Sequence, residues 1–590
     1  MSDLIQTTLR NGSFHNVFEG GFFQTSTKAF VFVLACSMLW SCASSVEKPD
    51  LSIPENLPRI EAVTPLGTVR GLQEDNVFAF YGVPYAAPFD GLDRFLPPKP
   101  AASYTGILDA TKYGPACKQL EQVMPSWMLT NKMKRYTTYA GMEDIAAQEK
   151  GPDCLNLNLW TSSLNAETTN TAPVMAPVMV FLHGGGLNQG SNRSAYFHGA
   201  NLAKKGVVVV NINFRLGIQG FMGGHTQFDG EVLLPNRGLM DMVMALRWLR
   251  DNIAAFGGDP GRVTLVGESG GAFAVWGLLS SPSTDGLIHR AIVQSAPPLM
   301  TPAADLEAVS VDMLKDLGIE PGDTEALAAI PDDDIPHTAL SQKLMSGDEY
   351  GFLSRNNLPY NGAYGTVFIP EDTIPAFAAG RSSKVDVLIG VNKHEARGLA
   401  IMVPLPDLMS VQITGNFLGG MIAVDDENKE RVLVAYKTKL LPDASELEIE
   451  EQLVQDAAFR QPMIRAAEAR LKHGGEGRTF MYEFHWESPC CDGEIGAIHA
   501  MEVAFAYDNL DAAKMLTDDD PSAQPLATAM SDAWVSFAKT GVPSSTGLPQ
   551  WPTYDEQTRQ TMILDRKSRV VSDPDQERRL FWDKEYANRK

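Results

Sequence analysis

Short apolar runs alternate with segments of helical periodicity along most of the chain. Several runs are rich in β-branched residues and almost continuously apolar, as expected for strands buried on both faces of a sheet. These runs are 178–183, 206–214, 262–269, 290–295, 385–391, 479–486 and 561–565. Residues 238–256 instead carry apolar side chains at helical spacing and end before a Gly-Gly-Asp-Pro stop signal. The alternation predicts an α/β fold with a mostly parallel sheet flanked by helices.

The rest of the sequence predicts a single domain and argues against one class of partner. No linker divides the chain after about residue 58, so residues 58–590 are expected to form a single domain. The formal net charge of −23 argues against nucleic acid as a partner, because phosphate binding requires clustered Lys and Arg. The oligomeric state is not readable from the sequence.

The first residues have the pattern of an export signal. Lys28 precedes an apolar run of about twelve residues and then small residues, which is too short for a bilayer span and typical of a signal peptide. Residues 1–41 are therefore predicted to be a signal peptide, with an unusually long segment before the apolar core. A buried helix of the fold is the alternative interpretation.

The stretch Leu39–Cys42 resembles a bacterial lipobox, although Trp40 departs from its usual small or aliphatic residue. This resemblance predicts a membrane-anchored lipoprotein of the outer membrane or periplasm, with lipid on Cys42 and a short tether over 42–57. Cleavage elsewhere and free secretion is the alternative.

The remaining cysteines agree with export. Cys117 and Cys154 lie in loop-like contexts and could form one disulfide in an oxidising compartment, or remain two buried thiols. Cys490 and Cys491 have no metal-ligand spacing and are interpreted as structural.

A candidate nucleophile follows one of the predicted strands. Gly267-Glu268-Ser269-Gly270-Gly271 lies between the strand-like 262–269 run and a helix-like segment, which is the context of a G-x-S-x-G nucleophile elbow. The segment 183–186, His-Gly-Gly-Gly, ends another strand and matches the oxyanion loop of esterases and lipases. An acyl-transfer serine requires such a site for developing negative charge.

In this type of hydrolase the serine is followed along the chain first by the acid and then by the histidine that acts as base. His473, His485 and His499 lie far enough downstream, and His499 is favoured because it sits in a loop between a glycine and an apolar run. Glu395 lies a few residues past the 385–391 strand, whereas Asp386 lies at the strand's start, the wrong end.

Nine stretches of the chain form one ordered set of motifs. They are TPLGTVRG (64–71), FAFYGVPYAAP (78–88), DCLNLNLW (153–160), HGGGLNQGS (183–191), NINFRLGIQGF (211–221), VGESGG (266–271), GVNKHE (390–395), GAIHAMEVAFAYDNL (496–510) and AMSDAWVSFAKTGVP (529–543). Taken together and in this order, they resemble the type B carboxylesterase family, which includes cholinesterases and bacterial p-nitrobenzyl esterases. The resemblance covers nearly all of the chain after the signal.

The resemblance implies an α/β-hydrolase fold and cofactor-free ester hydrolysis through an acyl-enzyme, with no metal. It implies Ser269 as nucleophile, Glu395 as acid and His499 as base. The oxyanion donors would be the N–H groups of Gly185, Gly186 and Gly270, although the family usually carries alanine at position 270.

The resemblance also implies supporting residues. Ser295 would hydrogen-bond Glu395, and Glu268 is placed with it among the residues that support the triad. Cys117 and Cys154 match a family disulfide that closes a loop near the active-site gorge. Side chains of that loop are candidates for gorge lining or plain packing: Met124, Trp127, Met128 and Met133.

The expected partner is thus a small-molecule ester. Apolar stretches such as 399–422 favour a hydrophobic or aromatic one. The alternatives are a non-catalytic surface-binding protein, which the complete triad argues against, and an amidase or lipase on the same scaffold.

Overall fold

The apolar runs of the sequence lie side by side in one central sheet. The computed structural model describes residues 52–54, 56–119, 129–164, 175–223, 227–228, 231–232, 234–320, 322–331, 361–401 and 426–588. The predicted signal peptide and Cys42 lie outside these residues, as does most of the 42–57 tether. The described strands are β1 (Arg59–Thr64), β2 (Gly67–Glu74), β3 (Val77–Pro84), β4 (Ile107–Asp109), β5 (Asn156–Thr161), β6 (Ala176–Leu182), β7 (Val208–Ile212), β8 (Gln227–Phe228), β9 (Glu231–Val232), β10 (Gly258–Glu268), β11 (Arg290–Gln294), β12 (Thr301–Pro302), β13 (Ala363–Tyr364), β14 (Asp386–Asn392), β15 (Thr479–Phe484), β16 (Gln560–Leu564) and β17 (Arg569–Ser572).

Strand order places the chemistry in the middle of the sheet. Within the described residues, the main sheet runs β1-β2-β3-β5-β7-β6-β10-β11-β14-β15-β16-β17, with β4 paired to β2. In sheet order, the strands from β7 to β16 pair with one another in parallel. The pairs toward both edges are antiparallel, including β5 with β7 and β16 with β17, except that β4 pairs with β2 in parallel. Parallel neighbours end at one edge of the sheet, so loops after β6, β10, β14 and β15 meet there.

Helices cover the sheet and carry the loops that leave it. The described α-helices are α1 (Asn131–Tyr139), α2 (Met142–Ala147), α3 (Ala200–Lys204), α4 (Gly217–Phe221), α5 (Arg237–Asn252), α6 (Gly270–Ser280), α7 (Ala303–Asp316), α8 (Thr324–Ala329), α9 (Thr373–Ala378), α10 (Glu395–Ile401), α11 (Asp426–Ala435), α12 (Glu446–Val454), α13 (Gln461–Lys472), α14 (Met501–Ala506), α15 (Lys514–Thr517), α16 (Ala523–Thr540) and α17 (Gln576–Asn588). Within the described ranges, every helix is too short or too polar to span a bilayer.

The apolar character of the central strands explains their position. Every residue of β7 is buried, and in β6 and β14 only the first residue is partly exposed. Burying each Val, Leu or Ile side chain stabilises the fold by about 1.5–3 kcal/mol. Helix α6 is apolar on all sides and completely buried, and the indole of Trp276 donates a hydrogen bond to the Ala296 carbonyl (2.8 Å). The helix that follows Ser269 is thus fixed inside the core.

The structure refines the predicted boundaries. The helix predicted over 238–256 is α5 followed by a short turn, Ile253–Phe256, and it ends at Gly257 in a left-handed conformation (φ 78°). Strand β10 begins directly at Gly258, so only Gly257 separates the end of the helical segment from the strand, rather than the four residues of the predicted stop signal. All described residues belong to one compact unit, Lys48–Lys590.

Candidate active site

Ser269 occupies a sharp turn between β10 and α6. Its backbone lies at φ 52°, ψ −120°, a region that costs a non-glycine residue about 1–3 kcal/mol and persists only where the surroundings hold it. Its N–H donates to the Gln294 carbonyl (3.0 Å). A Cβ on Gly271 would collide with the Leu182 carbonyl, so only glycine lets this turn pack against the end of β6. The predicted strand–turn–helix context of Ser269 is confirmed.

His499 and Glu395 meet at the same edge of the sheet. His499 Nδ1 lies 2.6 Å from Glu395 Oε2, and both side chains are buried. The other carboxylate oxygen, Oε1, accepts from the Asn392 N–H (2.7 Å), and the Glu395 N–H donates to Gln455 Oε1 (3.0 Å). Because the carboxylate can only accept, Nδ1 carries the proton and Nε2 is left as the basic nitrogen.

The Nε2 side of His499 faces the residue next to the serine. Glu268 Oε1 lies 3.2 Å from Nε2, at ion-pair distance but without the alignment of a hydrogen bond. Among the described residues, no group hydrogen-bonds the hydroxyl of Ser269. The structure therefore joins His499 to Glu395 and to the neighbour of Ser269, and it does not join His499 to Ser269 itself. Contacts of this kind often form only once substrate is bound.

The glycine loop after β6 packs against the serine turn. Gly185 and Gly186 have positive φ (101° and 61°), and the His183 ring anchors the loop by stacking on Phe214, with centroids 4.3 Å apart. A Cβ on Gly270 would lie 2.7 Å from the Gly186 nitrogen. The loop thus approaches position 270 more closely than a methyl group permits. An alanine there, which the resemblance leads one to expect, would require the loop to shift.

The supporting contacts differ from those predicted. The Ser295 hydroxyl does not bond Glu395; it donates to Glu502 Oε1 (3.3 Å), so that prediction is wrong. Ser295 directly follows β11, and its hydroxyl reaches α14, the helix that carries Glu502. Glu502 is fully buried and also accepts from Gln294 (3.2 Å) and from Asn392.

Sequence reasoning missed Glu502. Spacing gave no signal for it, because His499 lies in the turn before α14 and Ala500 between them has a left-handed backbone (φ 66°).

Three buried carboxylates therefore surround one imidazole. Burial raises the pKa of Glu268 to about 8 and that of Glu502 to about 7. Burial alone would lower the pKa of His499, but the negative charges of Glu268 and Glu395 raise it to about 9. The base thus holds its proton more tightly than a free histidine does.

Replacing Glu268 with glutamine is expected to move the acid limb of the pH profile of kcat/KM to lower pH, by roughly one unit. His499 accepts a proton only when neutral, and loss of a negative charge 3.2 Å from Nε2 destabilises the imidazolium and lowers its pKa. Initial rates measured across the limb for both proteins test this. Glu61→Gln removes an exposed carboxylate as the matched control. An unmoved limb in Glu268→Gln, or an equal shift in the control, would contradict the expectation.

Two tyrosines of helix α1 hydrogen-bond the backbone of the turn that carries His499. The Tyr136 hydroxyl donates to the His499 carbonyl (3.4 Å), and the Tyr139 hydroxyl donates to the Ala500 carbonyl (2.7 Å). Neither tyrosine was predicted, since they are more than 360 residues from their partners in sequence.

Helix α1 lies inside the loop closed by a disulfide between Cys117 and Cys154. Met133 is buried on α1, which favours packing over gorge lining. The other candidates for gorge lining, Met124, Trp127 and Met128, lie outside the described residues.

The alternative bases occupy other places. His473 is exposed at the end of α13, and His485 follows β15 with Nε2 2.9 Å from Glu483 Oε2. Asp386 starts β14 and pairs with Arg478 (2.8 Å), away from the strand end that carries Glu395. Among the described residues, no group of three or more His, Cys, Asp or Glu side chains is arranged so that it could hold a metal ion.

A serine held on a strained turn at the end of a central parallel strand, with a paired histidine and carboxylate beyond later strands, is the architecture of an α/β-hydrolase. The chain belongs to the carboxylesterase family, whose model matches residues 58–582. The predicted fold class and family are both confirmed, and the protein is a carboxylic ester hydrolase.

Individual relatives span nearly the same length. The para-nitrobenzyl esterase of Bacillus subtilis is 31% identical over 522 residues, which are 88% of this chain and 97% of that protein. The phenmedipham hydrolase of Pseudarthrobacter oxydans is 31% identical over 504 residues, 84% of this chain and 92% of that protein. The solved structure of a Geobacillus stearothermophilus carboxylesterase matches with a TM-score of 0.71 at 30% identity, over 88% of this chain and 99% of that one.

Proposed function

We propose that the protein hydrolyses small hydrophobic or aromatic esters through an acyl-enzyme on Ser269. Ser269 Oγ attacks the ester carbonyl while His499 Nε2 takes its proton, and Glu395 stabilises the imidazolium that forms. The observation that carries this proposal is the 2.6 Å contact between His499 and Glu395 at the sheet edge where Ser269 lies on its strained turn.

The same loops would stabilise the developing negative charge. We assign the oxyanion contacts to the N–H groups of Gly185, Gly186 and Gly270, and losing one such donor typically costs about 3–4 kcal/mol. The close approach of the Gly186 nitrogen to position 270 supports this assignment, because it places two of these backbone segments side by side. The protonated His499 then returns its proton to the leaving alcohol, and water, activated by the neutral His499, releases the acid.

Within this proposal, two observations favour aromatic esters over aliphatic ones. A relative covering 88% of this chain is named for the p-nitrobenzyl group. In this chain, the buried ring of Phe459 lies 5.8 Å from the His499 imidazole at a tilt of 56°, so the base has an aromatic neighbour.

A matched pair of esters tests the preference. Benzyl acetate is expected to have a kcat/KM about tenfold higher than butyl acetate, because burying the extra apolar carbons favours its transition state. Both esters carry the same acetyl group and an unactivated alcohol, so the bond that is cleaved is the same type. N-benzylacetamide is included to measure amide hydrolysis. Equal values, or a higher value for butyl acetate, would contradict the aromatic preference. Faster turnover of the amide than of either ester would favour the amidase alternative.

We also propose that the chain is exported and anchored through a lipid on Cys42. The proposal is supported by the apolar run after Lys28 and the lipobox-like Leu39–Cys42 stretch. Labelling of the full chain with a fatty-acid analogue in bacterial cells tests it. Label on the parent that is lost in Cys42→Ser is expected, and equal label on both would contradict it.

A further inference from the structure

Two neighbouring cysteines, Cys490 and Cys491, lie in the middle of the segment that leads from β15 to His499. Their sulfur atoms are 3.0 Å apart, and neither belongs to the Cys117–Cys154 disulfide. Cys490 is completely buried, whereas Cys491 is partly exposed. Cys491 has a left-handed backbone (φ 57°), which a non-glycine residue adopts only where the surrounding chain holds it.

This turn is connected to the histidine through two short routes. The Cys490 N–H donates to Ser488 Oγ (3.0 Å), and the Ser488 N–H donates to the Gly496 carbonyl (3.1 Å), three residues before His499. These two hydrogen bonds therefore tie the segment before the thiols to the segment just before His499.

The second route runs through α1. Asn131, its first residue, contacts Cys491 Sγ at 3.9 Å, and the same helix carries the Tyr136 and Tyr139 hydroxyls that bond the His499 turn. One rigid helix therefore touches both the thiol pair and the backbone of the base.

We propose that Cys490 and Cys491 are a reversible redox-modification site that closes to a vicinal disulfide and thereby modulates ester hydrolysis at His499. Adjacent α-carbons are about 3.8 Å apart, whereas ordinary disulfides join α-carbons about 4.4–6.8 Å apart. The ring formed by neighbouring cysteines is therefore strained and more easily reduced than Cys117–Cys154, whose α-carbons are 4.9 Å apart and lie within that range. Labile disulfides of this kind are the regulatory ones, whereas relaxed ones are structural.

The difference in exposure between Cys491 and Cys490 indicates which thiol reacts first with an oxidant. The oxidant is a low-molecular-weight disulfide, which the accessible thiolate of Cys491 attacks, releasing one thiolate and forming a mixed disulfide. Cys490, whose thiol pKa burial raises, then loses its proton and attacks Cys491 Sγ, releasing the second thiolate. Overall, two protein thiols are oxidised to one disulfide, one small disulfide is reduced to two thiols, and the two protons pass to those thiols.

The coupling to catalysis follows from the contacts. Bond formation must bring the sulfurs from 3.0 Å to about 2.0 Å, which rotates both side chains and pulls on the left-handed turn. The turn is tied to Gly496 and to α1, so the position of the His499 imidazole changes with it. Because catalytic geometry tolerates little displacement, kcat/KM is expected to fall several-fold in the oxidised form.

The test uses the full chain equilibrated in glutathione buffers of increasing disulfide content. Alkylation and mass mapping of the peptide with both cysteines give the fraction closed, and benzyl acetate hydrolysis gives kcat/KM in the same samples. We expect a reversible loss of two hydrogen masses from this peptide, with the activity changing in step. The Cys117–Cys154 bond should persist throughout.

Controls separate this site from the ester hydrolase itself. Cys491→Ser and Cys490→Ser should keep the reduced-state activity and lose the redox response. The mass measurement does not depend on activity, so a protein inactive on every ester would leave it readable. Two free thiols at every buffer composition, mixed disulfides that never close, or a closed peptide with unchanged kcat/KM would each overturn the proposal.

Discussion

Replacing Ser269 with alanine is expected to lower kcat for ester hydrolysis by a factor on the order of 10⁴–10⁶, with little change in folding stability. The hydroxyl is the attacking group of the proposed reaction, and no other described residue on the strained turn supplies a nucleophile. Removing the hydroxyl breaks no hydrogen bond among the described residues. Initial rates on benzyl acetate and a thermal melt of both proteins check this.

The matched control is Ser280→Ala, at the other end of α6. Its hydroxyl bonds the Trp276 carbonyl (2.9 Å) and the Thr373 hydroxyl (3.2 Å), so its loss removes buried hydrogen bonds that do not involve His499 or Glu395. A Ser269→Ala protein within about tenfold of the parent would contradict the assignment, because truncation of a true nucleophile costs far more. So would a comparable loss of kcat in Ser280→Ala.

Replacing His499 with glutamine is expected to lower kcat by a similar factor, because nucleophile and base act as one unit. Glutamine keeps a polar side chain beside Glu395 and Glu268 but cannot accept the serine proton. The loss should therefore appear in kcat rather than in KM, and a steady-state comparison with the parent measures it. The double variant with Ser269→Ala should be no slower than either single one.

Two other histidines serve as controls for this substitution. His485→Gln and His473→Gln change the other two histidines that follow Glu395 in the chain, which lie just after β15 and at the exposed end of α13. Both should keep kcat close to that of the parent. If either of them lost activity as His499→Gln does, the base would have been placed wrongly.

Most of the central sheet could be predicted from the sequence. The runs at 178–183 and 290–295 became β6 and β11 within two residues, because strands buried on both faces are marked by continuous apolar character. The antiparallel strands β1 to β3 were not predicted as such. Their burial alternates and depends on which neighbour each strand pairs with, and that is decided by register rather than by local composition.

The site divides in the same way. Ser269, Glu395 and His499 could be selected because each follows a recognisable strand and the family motif carries each of them. The partners of the triad could not, since they are set by contacts across the sheet. The Ser295 hydroxyl bonds Glu502 rather than Glu395, over a separation of 207 residues. The Glu268 carboxylate lies against the imidazole of His499, which is far from it in sequence.

The central claim is that Ser269 carries the acyl group, and covalent trapping tests it most directly. The parent, Ser269→Ala and Ser280→Ala are each treated with a fluorophosphonate, and the modified peptide is identified by mass spectrometry. The account predicts one adduct on the peptide containing Ser269 in the parent and in Ser280→Ala, formed in step with loss of esterase activity. The adduct should be missing from Ser269→Ala. An adduct on any other residue, or a fully active protein carrying the adduct on Ser269, would contradict the account.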